Sequence, residues 1–399
     1  MAEVPSGDLG IVPFARHGTI ATRIVAIGAL SMTLLRAFIT AWRLVVFTTL
    51  AVATAVHADT VNTRERQVRE LAPGIYTIRH ADPTDDFPDG NTTVVIGERE
   101  VLVIDTCYLP SSADADIALI RGWTDKPVRW VLNTLWHNDH VGGNQRYRLA
   151  WPGADVVGHE ETRRMINGRV PSYVRRFVAT DSTFARQREA LRLSAETGVD
   201  EKAKPVDAAG RATAAASLAK LEAARREFAA IVIEAPTVTF ESGLRIDLGG
   251  RVVELKHLGR GNTGGDVVAW LPAERILVAG DLVDHPVPYA FAGYPGEWIG
   301  TLDRLAALDP LLVVPGHGEV LRGKGYIERV AALIRGIRQQ VTDLLEKNGG
   351  GFALEEVQKA IDLGAARREF AGNDADNREF FDASMANLIR VLHAEARAR

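Results

Sequence analysis

Cysteine is almost absent: Cys107 stands alone in 399 residues. One thiol excludes an internal disulfide and any zinc site built from several cysteines. Its neighbours, "VLVIDTCYL", are apolar, which predicts a partly buried thiol and argues against a catalytic nucleophile. Surplus positive charge is missing too. Lys and Arg total 47 against 51 Asp and Glu, a net charge of −4, and no basic stripe or RNA-binding signature is present. A nucleic-acid partner is therefore not expected. No repeat of fixed short period and no low-complexity tract occurs. What remains is 46% apolar and 25% charged residues, the mix of a soluble globular protein. The length suits one large domain or two ordinary ones.

Long apolar runs are also scarce, with one short exception. Leu44 to Val56, "LVVFTTLAVATAV", is uncharged and follows Arg36 and Arg43. The stretch "AVHA" then ends at Ala58 with small residues where a signal peptidase reads. This pattern predicts an export signal with Asp59 as the mature start, and a periplasmic or secreted protein. Met32 opens a more typical signal, so the true start is open. An uncleaved leader would anchor the protein to the membrane, although the run is shorter than the ~20 residues of a span.

Beyond the leader, short apolar or alternating runs recur between Gly, Pro, Asp and Asn: "GIYTIRH", "TTVVIGE", "EVLVIDT", "VRWVLNT" and "ADVVGHE". Each reads as a strand, and Ser111 to Gly122 reads as a helix between two of them. From about 160 to 235 the pattern turns helical, broken by the loop "VDEKAKPVDAAG". Strands return in "PTVTF", "LRIDL", "RVVELKH", "DVVAWL", "RILVAGD" and "LLVVPGH". From Tyr326 the chain is helical again, with a glycine break at "NGGG". Two groups of strands separated by helices fit a sandwich of sheets flanked by helices.

The chemistry gathers at strand ends. "NTLWHNDHVGGN", Asn133 to Asn144, packs His137, Asp139 and His140 into four positions. Asp281 follows the apolar strand "ILVA" within "GD", and His317 follows another in "VVPGHG". Zinc takes imidazole nitrogen and carboxylate oxygen, and side chains from such ends can converge on one cleft. Alone, each Asp or His is an ordinary loop residue; their order along the chain makes the pattern specific.

Together these motifs resemble the metallo-β-lactamase superfamily. Its HxHxDH loop corresponds to Leu135 through His140, its opening strands to "DGNTTVVIGEREVLVIDT", its central region to "GRGNTGGDVVAWLPAERILVAGDLV", and its last metal motif to "VVPGHG". The likeness runs from about Leu71 to about Arg335. It implies an α/β fold, an αββα sandwich with a helical insertion at about 160–235 and a helical extension over 336–399. The leader would fill 1–58 and the sandwich domain 59–335. The "GRGNTxGD" loop, standing where a "GHT" metal loop is usual, resembles a subset of that family.

The resemblance also implies two zinc sites with a shared aspartate, and here the chain departs from it. One ligand set carries over whole: Asp139, His140, His317 and the bridging Asp281. The other would need histidines where Leu135 and Asn262 stand. Leucine has no lone pair, and an amide oxygen is a poor zinc ligand beside imidazole. His137 with a share of Asp281 falls short of three protein ligands. One zinc ion is expected, with the second site weak or empty.

The catalytic expectations follow. Asp139 helps to hold the ion, and His137, relieved of metal duty, is a general base of the type suited to neutral pH. Asn262 is a candidate oxyanion donor. Asp105 is a candidate for orienting a metal-bound imidazole, and Asp266 reads as structural. Gly142 and Gly143 read as permitting the turn after His140. His285, Tyr289, Tyr294 and Trp298 read as either cleft lining or packing, and the turn "ADPTDDFPDG" as overhanging the mouth. The expected function is an exported zinc hydrolase acting on an ester, thioester or amide (including lactam) bond of a small molecule. A catalytically inactive protein that keeps the fold is the alternative, and a two-metal enzyme recruiting His257 is another. An accessory role in periplasmic electron transfer also stays open. Substrate, native metal and oligomeric state are not legible.

Overall fold

The computed structural model describes residues 66–80, 89–168, 183–290 and 293–398. The expected leader at 1–58, most of the turn "ADPTDDFPDG" and residues 291–292 lie outside them. Two sheets form the frame. The first has seven strands in sequence order: β1 (Arg66–Ala72), β2 (Ile75–His80), β3 (Thr92–Ile96), β4 (Val101–Ile104), β5 (Val128–Leu132), β6 (Asp155–His159) and β7 (Val238–Phe240). Pairing is antiparallel from β1 to β4 and parallel from β4 to β7. The second sheet holds β8 (Gly243–Asp247), β9 (Val252–Lys256), β10 (Val268–Leu271), β11 (Ile276–Gly280), β12 (Leu312–Pro315) and β13 (Leu321–Arg322). Its one parallel pair is β11 with β12.

Why these runs became central strands is visible in their period of two. In β4, Leu102 and Ile104 face the second sheet, and Val101 and Val103 face helices. In β10, Ala269 and Leu271 point inward, and Val268 and Trp270 outward. Both faces are covered, so these strands are apolar without interruption. The layer between the sheets also takes Ile75, Val95, Leu132, Val157, Leu255, Val278 and Val314. The outer face of the first sheet is covered by α1 (Pro110–Trp123) through Ala113, Ile117 and Ile120. After α2 (Asn138–Val141), α3 (Asn144–Ala150) adds Tyr147 to that layer. This is the expected αββα arrangement.

β1 was not expected as a strand. Its sequence "RQVRELA" is charged and pairs only with β2, so it is a partly exposed edge whose polarity hides the alternation. The helical insertion contains α4 (Glu160–Gly168), α5 (Thr183–Thr197) and α6 (Ala208–Ala230). Asp207 caps α6 by accepting from Gly210 N at 2.7 Å. The insertion packs beside the strand-end loops. Phe228 lies edge-on to Tyr108 at 4.7 Å, and Thr162 Oγ1 donates to Gly265 O at 3.3 Å.

The second sheet is covered by α7 (Pro295–Ala307), α8 (Gly325–Lys347), α9 (Leu354–Ala360), α10 (Gly364–Ala371) and α11 (Ala375–Arg397). The boundary read at 335 falls inside α8. Ile337, Val341 and Leu345 beyond it share one core with Leu302, Phe381 and Leu388. The C-terminal extension is thus part of the outer layer of the sandwich. Among the described residues no helix is long and apolar enough to cross a membrane.

Candidate metal centre

The parallel pairs β4–β5 and β11–β12 aim their C-terminal ends at one edge of the sandwich. Ile104 pairs with Leu132, so Asp105 and Asn133 leave the first sheet side by side. Gly280 pairs with Pro315, so Asp281 and Gly316 leave the second in the same way. Cross-ties hold the ends together. Val267 N donates to Thr134 O at 2.8 Å, and Asn91 N donates to Gly316 O at 2.7 Å. Asn91 Nδ2 also donates to Pro315 O and Gly318 O, both at 3.0 Å.

α2 is a single short turn with His137 at its N-cap, which sends Asp139 and His140 off the same bend. Gly142 and Gly143 follow with ordinary right-handed angles, φ −61° and −89°. The turn therefore asks nothing unusual of their backbone, and the reason for glycine is space. A Cβ on Gly142 would stand 2.1 Å from Tyr108 O, and one on Gly143 would stand 2.1 Å from Thr106 O.

Four predicted ligands meet. His317 Nε2 lies 2.9 Å from Asp139 Oδ2, and His140 Nε2 lies 3.4 Å from the same oxygen. Asp281 Oδ1 is 3.0 Å from His140 Nε2 and 3.7 Å from His317 Nε2. Ligands around a tetrahedral zinc ion stand ~3.3 Å apart, given bonds of ~2.0–2.1 Å. His140 Nε2 and Asp281 Oδ1 are both buried without a hydrogen-bond partner. Buried polar atoms in native proteins are nearly always satisfied, so two orphans facing each other fit a cation between them.

Electrostatics agree. Burial alone would raise the Asp139 and Asp281 carboxyls, but His140 and His317 hold both well below the usual carboxylate range. Burial opposes charge on His317, yet Asp139, Asp281 and Asp284 keep its imidazole up at about 9. Against the same opposition, Asp281, Asp139 and Asp105 raise His140 further. Without a metal, imidazolium charge balances these carboxylates; a divalent cation would replace both protons.

Asp105 occupies the orienting position. Its Oδ2 is 2.8 Å from His140 Nδ1, and it accepts from Thr134 N at 2.8 Å and Thr134 Oγ1 at 2.7 Å. The backbone at Asp105 is left-handed, φ 60°. That geometry leaves Nε2 of His140 for the cluster.

The other half-site is furnished differently. Leu135 is buried, 1% exposed. His137 Nδ1 lies 3.4 Å from Asp281 Oδ2, and Asn262 Nδ2 donates to that same oxygen at 3.2 Å. Asn262 was read as an oxyanion donor, whereas its amide is turned onto the shared carboxylate. His257, the candidate replacement ligand, is directed elsewhere: its Nδ1 pairs with Asp266 O at 2.8 Å and its ring packs on His159. Asp266 is structural, accepting from Gly261 N, Thr263 N and Thr263 Oγ1. Trp298 is core, 1% exposed, with Nε1 donating to Leu282 O. Tyr289 stacks on Phe380, Arg260 lies over the Tyr294 ring at 4.1 Å, and His285 meets Tyr326 edge-on.

Asp284 was missed. It is 4% exposed, neither carboxylate oxygen has a hydrogen-bond partner, and it groups with Asp281 and His317 as a possible ligand set. Burial, reinforced by the charge of Asp281, pushes its carboxyl well above the usual range. A lone Asp in "VDHP" gives no signal of this in the sequence.

Fold and ligand set together define an αββα sandwich with a candidate metal centre at one edge. Residues 85–317, more than half of the chain, match the profile of the Metallo-beta-lactamase superfamily, and the chain belongs to it. A linear primary-alkylsulfatase of Pseudomonas sp. (strain ATCC 19151) is 24% identical over 249 residues, 59% of this chain and 42% of that one. A metallo-beta-lactamase type 2 of Bacillus cereus is 32% identical over 93 residues, 22% of this chain and 36% of that one. The chain thus spans about two fifths of the length of the curated relatives it matches. A solved metallo-beta-lactamase from Pontibacter korlensis is similar at 18% identity and a TM-score of 0.47, over 68% of this chain and 99% of that one.

Proposed function

We propose that the protein is a hydrolase working with one zinc ion held by Asp139, His140, His317 and Asp281. The observation that carries this reading is the meeting of those four side chains beside a half-site where Leu135 and Asn262 replace ligands. When bound, zinc at such a centre polarises a carbonyl and makes water acidic enough to supply a nucleophile near neutral pH. The residues of this chain do the rest. Asp281 is steered by His137 and Asn262 through Oδ2 while Oδ1 faces the ligand cluster. Asp105 fixes the His140 ring. His137, 16% exposed in its side chain and 3.4 Å from Asp281 Oδ2 through Nδ1, is the histidine of the centre proposed to move a proton.

The substrate class is a small molecule with an ester, thioester or amide bond, lactams included. The alkylsulfatase relative favours a second reading, in which the scissile bond is a sulfate ester. The leader at 1–58 supports export to the periplasm or beyond, with membrane anchoring if it is retained. Metal analysis of the purified protein, beside a hydrolysis screen of nitrocefin, lactones, thioesters and alkyl sulfates, tests the proposal. At this centre about one zinc per chain is expected in the wild type and lost in Asp139→Ala and His317→Ala together with turnover. A chain that binds no metal under zinc-replete conditions overturns it.

A further inference from the structure

The sole cysteine sits in a second polar cluster whose members come from three separate elements. His80 ends β2, Cys107 follows β4, and Asp116 lies within α1; their exposures are 5%, 0% and 0%. His80 Nε2 is 3.1 Å from Asp116 Oδ2, Cys107 Sγ is 3.2 Å from that oxygen, and Cys107 Sγ is 3.5 Å from His80 Nε2. The edges of a tetrahedron around zinc are ~3.3 Å between nitrogen and oxygen and ~3.6 Å to sulfur, from bonds of ~2.0–2.3 Å. The observed triangle lies within a few tenths of an ångström of these edges.

Each donor also turns the atom a metal would use toward the cluster. His80 Nδ1 stands 2.8 Å from Gly90 O, and a carbonyl can only accept, so Nδ1 carries its hydrogen and Nε2 faces the cluster. Asp116 Oδ1 accepts from Arg66 Nε at 3.0 Å and stands 3.2 Å from His80 Nε2, while Oδ2 is the oxygen shared by the cysteine and the histidine. Cys107 has a left-handed backbone, φ 67°, a conformation that costs energy in a non-glycine residue and commonly marks a functional position. A further observation points to a ligand here. The Tyr147 hydroxyl is buried with no hydrogen-bond partner. Tyr147 is near enough to Asp116 and Cys107 that their charges, added to burial, raise its pKa well above the ordinary phenol value.

We infer that His80 Nε2, Cys107 Sγ and Asp116 Oδ2 form a second, structural metal site for a thiolate-preferring divalent cation such as zinc. The site is independent of the centre at Asp139 and His140 and ties β2, the loop after β4 and α1 together. Entry of the ion releases two protons, one from the Cys107 thiol and one from His80 Nε2. The net charge of the cluster is thereby unchanged, with Arg66 and Asp89 close by. The competing arrangement is a proton-bonded cluster of the same residues.

Because Cys107 is the only cysteine, any thiolate signal from metal reports this site alone. The test loads the purified full chain with Co2+ and records near-ultraviolet sulfur-to-metal charge-transfer absorption. The band is expected in the wild type and in Asp139→Ala, and absent in Cys107→Ser, whose metal content falls by one ion per chain. A measurement without a variant guards against misfolding of Cys107→Ser. Modification of the native thiol by a disulfide reagent should slow ~100-fold at free zinc 100 times the dissociation constant, since only the opened, metal-free form reacts. A Co2+-loaded wild type without the band, or a thiol that reacts equally fast with and without zinc, overturns the inference in favour of the proton-bonded cluster.

Discussion

Asp105 Oδ2 and His140 Nδ1 stand 2.8 Å apart, and the far nitrogen of the same ring stands 3.0 Å from Asp281 Oδ1. The carboxylate therefore decides which nitrogen carries the hydrogen. Asp105→Asn would present amide hydrogens to Nδ1, move the ring hydrogen to Nε2 and remove the lone pair a metal needs. Asn tolerates the left-handed backbone at this position, so folding should survive. Metal affinity is expected to fall ~10–100-fold, read by chelator competition; an unchanged affinity would contradict the role given to Asp105.

Gly316 leaves the second sheet beside Asp281. A Cβ there would come within 2.1 Å of Asp281 Oδ1. Gly316→Ala should displace the shared carboxylate and cost about 1–3 kcal/mol of stability through overpacking. Denaturant midpoint and metal stoichiometry should both drop. Loss of stability with full metal occupancy would show that Asp281 is not needed to hold the ion.

Leu135 and Asn262 are the two replaced positions of the other half-site. Leu135→His combined with Asn262→His should raise the zinc content by about one ion per chain, whereas Asn262→His alone should not. If the double variant binds no more zinc than the wild type, ligand loss at these positions is not what limits the half-site.

Asp266 supplies a pH test away from the ligands. Burial pushes its carboxyl up to about 7 against the hydrogen bonds from Thr263, while an unfolded chain has a value of ~3.9. The folded state thus holds a proton that the unfolded state gives up. The corresponding stability is fully present below ~3.9 and is lost as pH rises through about 7. Thermal midpoints of the wild type should slope downward over that window, and Asp266→Asn should lack that part of the slope.

Most of the frame was legible because β4, β10 and β11 are buried on both faces and apolar throughout, while β9 keeps a period of two with Val253 and Leu255 inward. β1 escaped because an edge strand can carry Arg66, Arg69 and Glu70 without burying them. The ligands of the main centre announce themselves through their places at strand ends. Asn262 was visible as a departure, but the direction of its amide depends on Asp281, 19 residues away. Asp284 was hidden because its isolation is a property of packing. The cluster of His80, Cys107 and Asp116 has no spacing signature either: its members are separated by 27, 9 and 36 positions and meet only once β2, β4 and α1 are packed.

The main centre also has a mechanical side. Asp139 and His140 are carried by the loop after β5, in one sheet, while Asp281 and His317 follow β11 and β12, in the other. An ion held by all four is a clasp across the sandwich. At free metal 100 times the dissociation constant it would add ~2.7 kcal/mol to the stability of the whole fold. Metal supply would then govern how long the protein survives, and stripping it with a chelator would loosen one layer from the other along the edge that carries the four side chains.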